Sequence, residues 1–372
     1  MASIKGHEAG RHKPDEPYRP LYRKIYGKTD HELFGAFPGS HALVSRNDGD
    51  VLFGGDFSPF MDLTKPRPAD TEYVLTLRTV NQQLVALDNT YGGADLVPIA
   101  CRVFRSAYNR LATGQYLSAV ERDLQAAAGE TGEIAAWIAY DADRQSLSRQ
   151  LIHEAMLISR LAGDRGMELF QTSHLSMQGV YLRRSREALR AADSVLDRGR
   201  VSGRTAALFH LRRARALAQL EEETGAFNAL GAARAQIGDG VHGDDPQWTW
   251  WLDDHELSLH EAVCHSGLGS WGRAVEAIGH AVEGCEAGRT RCHFNDRSQQ
   301  LEILVQAGAW QEAEPVLITL LPDVGEVGSL RTVGILAAAA KRLEASRAAL
   351  SSTLSDATTE LRKRVEAVQT GI

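Results

Sequence analysis

The sequence predicts an all-α fold, an α-solenoid in which helix pairs repeat along the chain. Strong helix formers (Ala, Leu, Arg and Glu) are abundant, and no segment alternates polar and apolar residues as a half-buried strand does. A pattern of small and apolar residues also recurs at steps of roughly 40 residues, which is typical of stacked helix pairs. With 372 residues, 43% of them hydrophobic, the chain can bury a large core.

The start of the chain predicts a short helical remnant. The segment "HKPDEPYRPLYRKIYGKTDHELFG", residues 12–35, contains a helix with one apolar face. That face consists of Leu21, Tyr22, Ile25 and Tyr26. Two short helices cannot bury a core of their own, so we interpret residues 1–35 as the last part of a small domain. Gly and Pro without a regular period then predict a linker over residues 36–69.

From residue 70 onward the sequence predicts nearly continuous helix, with Asp70 as the first cap. The segments "SREALRAADSVL", "GAFNALGAARAQI", "WGRAVEAIGHAV" and "WQEAEPVLITLL" superpose, and an earlier copy contains Ser148. Their aligned small residues are Ala188, Ala229, Ala274 and Ala313. A small residue allows the second helix of a pair to approach its neighbours closely. We therefore assign residues 70–345 to a helical repeat domain and residues 346–372 to a C-terminal helix.

Charge and cysteine content restrict the class of protein. The net charge is −7, which argues against the whole chain being a nucleic-acid binder, although the first 35 residues hold seven Lys or Arg against five Asp or Glu. The four cysteines are scattered without a CxxC pair, which favours reduced thiols. No apolar run is long enough for a membrane span or a signal peptide, so we expect a cytoplasmic protein without membrane contact.

Five separate segments resemble a known family. They are "HEAGRHKP", "ALDNTYGGADLVP", "ISRLAGDRGMEL", "DPQWTWWLDDHEL" and "LGSWGRAVE". Together they are similar to actinobacterial transcriptional regulators, which join a Cro/repressor-type helix-turn-helix DNA-binding domain to a C-terminal tetratricopeptide-like domain. The aligned copies also resemble tetratricopeptide repeats, because an aromatic residue (here Trp271 or Trp310) precedes the small residue of the second helix.

The resemblance implies a transcriptional regulator whose repeats sense a peptide, a small molecule or a partner protein. Residues 1–35 would be the C-terminal remnant of the helix-turn-helix domain, with the base-reading helix upstream of Met1. We expect this chain to bind DNA only weakly, with tight binding confined to a longer form. The candidate contacts to the DNA backbone are Arg11, Lys13 and Arg19. A homodimer is also expected, since DNA half-sites are paired. The alternative is a tetratricopeptide-type protein-interaction scaffold that does not bind DNA.

No motif predicts an enzyme, a cofactor or a metal site. "GLGSWG", residues 267–272, matches GxGxxG, but it should join two helices instead of following a strand. His260 and Cys264 share a helical face, yet a zinc site needs three or four converging ligands. The adjacent carboxylates of Asp253 and Asp254 would point about 100° apart on a helix, which does not favour a shared proton.

The stretch "DPQWTWWLDDHELSLHE" is the strongest candidate for ligand contact. Residues 235–272 contain seven acidic residues and no Lys or Arg. We predict one helix over residues 248–261, and its inward face would consist of Trp248, Trp251, Leu252 and Leu259. The opposite face would present Trp250, Asp253, Asp254 and Glu261 to a groove that holds a peptide or a cationic ligand. The competing interpretation is that the tryptophans fill the core and the carboxylates are solvated.

Overall fold

The computed structural model describes residues 67–199, 201, 203–243, 245–285 and 290–370. Helices account for most of these residues, and the only extended pairing among them is an isolated bridge between Ala69 and Tyr116. The all-α prediction is confirmed. The predicted remnant at residues 1–35 lies outside the described residues, and so does most of the linker. The same holds for the candidate DNA contacts Arg11, Lys13 and Arg19.

Fourteen α-helices within the described ranges follow one another as seven pairs. The first helices of the pairs are α1 (Thr71–Tyr91), α3 (Glu121–Asp141), α5 (Arg165–Tyr181), α7 (Gly203–Gln219), α9 (Asp254–Gly267), α11 (Thr290–Ala307) and α13 (Leu330–Ala345). The second helices are α2 (Val97–Thr113), α4 (Gln145–Ala162), α6 (Ser185–Leu196), α8 (Glu223–Gly238), α10 (Trp271–Gly284), α12 (Trp310–Leu320) and α14 (Ser352–Thr370). As predicted, the Asp70 side chain caps α1 by accepting a hydrogen bond from the Tyr73 amide at 2.9 Å.

The aligned small residues of the sequence repeat lie in the core. Three of them are fully buried, namely Ala188, Ala274 and Ala313, and Ala229 is 5% exposed. The apolar residue four positions later is buried in every copy as well. These residues are Ala192, Ala233, Ile278 and Leu317. Because an alanine methyl adds little volume, the second helix of each pair packs closely against its neighbours.

The turns within the pairs share one backbone feature. In five of them a single residue with φ between 55° and 72° reverses the chain between the first and the second helix. These residues are Asp143 (55°), Arg183 (58°), Glu221 (62°), Gly269 (72°) and Gly308 (72°). Gly269 lies inside "GLGSWG", so the structure confirms that this segment is a turn between two helices and does not follow a strand.

The first pair contacts the last pairs and closes the helical array on itself. Gly328, just before α13, donates its amide hydrogen to the Tyr91 carbonyl at 2.7 Å. Its own carbonyl accepts from the Ala94 amide at 2.9 Å. Asp88 on α1 also pairs with Arg291 on α11. We call this contact between the two ends of the array the seam; it borders the space between the first helices.

The prediction of one helix over residues 248–261 is wrong. Gln247–Trp251 is a short 3-10 helix, and α9 begins only at Asp254. The physical reason is the Asp253 side chain, which accepts a hydrogen bond from the Glu256 amide and caps α9 there. Of the predicted inward residues, Leu252 and Leu259 are buried, whereas Trp248 and Trp251 are only half-buried.

Candidate functional site

A central cavity of about 1480 Å3 lies inside the array. All seven first helices, from α1 to α13, contribute side chains to its wall. Among the described residues, no side chain of a second helix does so. The pairing therefore places one helix of each pair on the cavity and the other on the outside, which makes the inner surface the candidate site.

One part of the wall is aromatic. The rings of Phe170 and Trp248 stack with centroids 4.5 Å apart and an angle of 12° between their planes. Trp251 lies 6.3 Å from Phe170, and His174 lies between Phe170 and Trp137, at 4.5 and 5.5 Å. The indole nitrogen of Trp248 donates to the Gly166 carbonyl at 3.2 Å, which fixes the orientation of the ring. Half-buried rings held in this way form a rigid apolar contact surface.

A second part of the wall is a polar stripe along α11. It consists of Asn295, Gln299, Glu302 and Gln306, which we call the α11 stripe. Steps of four, three and four residues place these side chains on one face of the helix over roughly 16 Å. Gln306 donates to Glu302 at 2.5 Å, and Asn295 accepts from Arg331 at 3.0 Å. The α11 stripe thus offers both donors and acceptors to the cavity.

The seam carries a buried ion pair at the cavity wall. Arg291 lies 3.1 Å from Asp88, 3.3 Å from the Asn89 side-chain oxygen and 5.0 Å from the centre of the Trp137 ring. The Trp137 indole also donates to Asp88 at 2.9 Å. Burial raises the pKa of Asp88, and the charge of Arg291 is the largest effect that opposes this rise. Arg291 therefore favours the ionised form of this carboxyl group inside the protein.

A second ionic contact joins α13 to α3 next to the seam. Asp141 is fully buried and lies 3.3 Å from the Arg331 guanidinium. The same carboxylate accepts a hydrogen bond from the Ser329 hydroxyl at 2.8 Å. Arg331 also donates a hydrogen bond to Asn295 of the α11 stripe. The polar network of the seam therefore reaches the cavity surface.

The predicted ligand residues are distributed over different surroundings. Trp250 is half-buried and lines the cavity, together with Trp248 and Trp251. The other three do not belong to the cavity lining. Asp253 is the cap of α9, Asp254 is exposed in its first turn, and Glu261 forms an ion pair with Arg234 of α8. Only the tryptophan is therefore placed to contact a ligand in the cavity.

His260 and Cys264 do not form a common ligand site. The Nε2 atom of His260 lies 3.2 Å from Glu256 and 3.3 Å from Arg212 on α7. Cys264 is fully buried in an apolar cluster with Leu217 and Ala218, and burial raises the pKa of its thiol to about 12. A protonated thiol in apolar surroundings is a packing residue.

The buried imidazole of His260 predicts a loss of stability in acid. Burial lowers its pKa from 6.5 to about 4, the charges of Arg215 and Arg212 lower it as well, and the hydrogen bond to Glu256 opposes them. The unfolded chain therefore binds a proton at this position before the folded protein does. The contribution to stability is complete above about pH 6.5 and falls as the pH drops towards 4.

We expect His260→Gln to have a smaller difference in free energy of unfolding between pH 7 and pH 5 than the unmodified protein. Urea denaturation at both pH values measures this difference. Equal differences for the two proteins would show that another group causes the acid sensitivity.

Most of the cavity wall was not predicted from the sequence, because ligand contact was expected only within residues 248–261. A signal was present in α11, where Asn295, Gln299, Glu302 and Gln306 recur at helical spacing and Leu304 on the opposite side of the helix is buried. A helix buried on one face with amide side chains on the other can line an internal cavity. The charged residues of the seam, Asp88 and Arg291, gave no such signal because they lie far apart in the sequence.

Neither a scan against protein-family models nor a search of the curated proteins gives a match for this chain. Within the described residues, no helix has the length and apolar character that a membrane span requires.

Proposed function

We propose that this chain is the ligand-sensing part of a transcriptional regulator and that its helical repeats bind an extended peptide in the central cavity. The observation that carries the proposal is the inner wall itself. A stripe of amide and carboxylate side chains about 16 Å long and a cluster of half-buried aromatic rings line the same cavity.

The size and chemistry of the cavity favour a peptide over a small metabolite. About 1480 Å3 exceeds the roughly 300–1,000 Å3 of typical small-molecule pockets. A ligand that follows the α11 stripe would have about five residues, at roughly 3.3–3.6 Å per extended residue. Asn and Gln side chains donate and accept at once, which matches the alternating N–H and C=O groups of a peptide backbone.

Two arginines on α7 offer a place for a peptide carboxylate. Arg212 and Arg215 both line the cavity, and the Nε atom of each is buried without a hydrogen-bond partner among the described residues. Burial lowers the pKa of Arg212 to about 10, so its guanidinium is still charged at neutral pH. Guanidinium groups bind carboxylates strongly, which favours a ligand with a free C-terminus.

The closed array argues against the alternative of a protein-interaction scaffold. Helical-repeat scaffolds bind their partners along an extended concave surface. Here the Gly328 backbone and the ion pair between Asp88 and Arg291 join the two ends of the array. An unfolded segment of a few residues fits a cavity of about 1480 Å3 better than a folded protein does. The regulatory part of the proposal is supported by the resemblance of the five sequence segments named above.

Affinity selection tests the proposal. The purified chain is incubated with a pool of random five-residue peptides, retained peptides are identified by mass spectrometry, and one is resynthesised for calorimetry. We expect Trp250→Ala to weaken its binding by tenfold or more, because aromatic side chains at the centre of an interface often contribute 2 kcal/mol or more. C-terminal amidation of the peptide should weaken binding as well.

Trp271→Ala is the matched control. Trp271 is also half-buried, but it lies at the start of α10 and does not line the cavity. Its replacement should leave peptide affinity within about twofold. The proposal fails if no peptide is retained above a heat-denatured sample, or if both tryptophan variants bind as well as the unmodified protein.

A further inference from the structure

Four side chains that can bind a metal ion converge at one edge of the cavity. His255 lies in the first turn of α9, and Cys285 directly follows α10. Cys292 and Asp296 lie one turn apart on the same face of α11. One ligand atom from each of the four lies within 4.8 Å of the other three. Three helices that pack against one another therefore bring nitrogen, sulfur and oxygen donors to a single point.

The separations are close to those of a tetrahedral zinc site. His255 Nε2 lies 2.8 Å from Asp296 Oδ2 and 4.0 Å from Cys292 Sγ, and the thiol lies 3.5 Å from the carboxylate. Metal–ligand bonds of about 2.0–2.3 Å at tetrahedral angles place neighbouring ligand atoms about 3.3–3.8 Å apart. Shifts of about half an ångström would bring these three atoms to the separations of metal ligands, and the Cys285 thiol lies within 4.8 Å of each of them.

The surroundings hold the ligands in place. The His255 side chain is 8% exposed, Cys285 is 8% exposed and Asp296 is 1% exposed. The Asn295 side chain donates to Asp296 Oδ1 at 3.0 Å, which leaves Oδ2 directed at the cluster. A neighbouring donor that orients a carboxylate in this way is typical of protein metal sites.

The geometry does not support a catalytic Cys–His–Asp triad. A triad needs the thiol on one imidazole nitrogen and the carboxylate on the other. Here Cys292 and Asp296 both approach the same atom, His255 Nε2. Donors that converge on one point, with a second thiol beside them, fit coordination of an ion instead.

We propose that His255, Cys285, Cys292 and Asp296 bind one Zn²⁺ ion. Thiolate and imidazole ligands in a tetrahedral arrangement favour zinc over magnesium or calcium, which prefer oxygen ligands. Four protein ligands leave no open position for substrate, so the ion is structural. Because Arg291 precedes Cys292, the bound ion fixes the start of α11 at the seam and favours the closed array.

Zinc binding to the full chain tests this inference without any peptide. The protein is prepared metal-free under a thiol-preserving reductant and titrated with Zn²⁺ in competition with a chromophoric chelator. We expect one equivalent to bind, and Cys285→Ser and Cys292→Ser to weaken binding more than 100-fold, beyond the roughly 10–100-fold effect of losing a supporting residue. Co²⁺ in place of Zn²⁺ should show the thiolate charge-transfer bands of a tetrahedral site.

Cys101→Ser is the matched control, since Cys101 on α2 is half-buried like Cys292 and lies outside the cluster. It should bind Zn²⁺ as the unmodified chain does. Circular dichroism of each metal-free variant confirms that it is folded. The inference is overturned if the unmodified chain binds no Zn²⁺, if all three cysteine variants bind it equally, or if mass spectrometry finds a disulfide between Cys285 and Cys292 under the same reductant.

Discussion

Replacing Arg291 with methionine is expected to lower the free energy of unfolding by about 3–5 kcal/mol, the usual cost of removing one partner of a buried ion pair. The Arg291 side chain is 14% exposed and the Asp88 side chain 4% exposed, so water cannot compensate for the lost charge. Methionine keeps most of the side-chain volume, which confines the change to charge and hydrogen bonding. Urea denaturation at neutral pH measures the effect.

Two further variants distinguish the effect of breaking the buried ion pair from the effect of removing any positive charge. Arg362→Met removes an arginine that is 50% exposed and pairs with Glu344 at the surface, and it should cost at most about 1 kcal/mol. Asp88→Asn in the Arg291→Met background should recover part of the loss, because a neutral amide can still accept from Trp137. If Arg291→Met costs no more than Arg362→Met, the seam does not stabilise the fold.

The helix pairs could be predicted from the sequence because their determinants are local. Helix propensity and the cap at Asp70 are recognised within one or two helical turns. The recurring alanines are recognised by comparing one repeat with the next, and they are Ala188, Ala274 and Ala313. The turn at Gly269 also has a local determinant. A residue pattern with a period of 3.6 reports which side of a helix is buried, and the structure places these residues in the core.

The segment before α9 shows where local signals compete. Tryptophans at helical spacing predicted that the helix begins at Trp248, but the Asp253-x-x-Glu256 pattern is itself a helix start signal. In the structure the cap at Asp253 determines the boundary, and the tryptophans precede it in a 3-10 helix. The cap therefore predicts the start of α9 better than the spacing of the aromatic residues does.

The cavity and the zinc cluster could not be predicted because they depend on how pairs stack. Asn89 and Arg291 make contact across 202 positions of the sequence. The cluster draws His255, Cys285 and Cys292 from three different helices or their ends, without the close spacing of a zinc-finger motif. Sequence spacing identifies metal sites built within one turn or hairpin, whereas this one exists only after α9, α10 and α11 have packed.

Gly92→Ala is expected to open the seam and to lower the free energy of unfolding by about 3 kcal/mol. Gly92 has φ 81° and ψ 174°, a region that is essentially restricted to glycine and costs other residues about 1–3 kcal/mol. An added Cβ would also lie 2.7 Å from the Gly328 carbonyl carbon and 2.9 Å from its nitrogen. Moving this backbone apart breaks the hydrogen bonds to Tyr91 and Ala94, at about 0.5–1.5 kcal/mol each.

Gly114→Ala isolates the contribution of the close approach. Gly114 ends α2 with φ 66° and ψ 22°, and no atom lies within 4 Å of the position that an added Cβ would take, so only the left-handed conformation is penalised, by about 1–2 kcal/mol. Thermal and urea denaturation of both variants should therefore show the larger loss for Gly92→Ala. Hydrogen exchange should also be faster at the amides of Ala94 and Gly328 in that variant alone. Equal losses, with those amides still protected, would mean that the ends of the array do not depend on this contact.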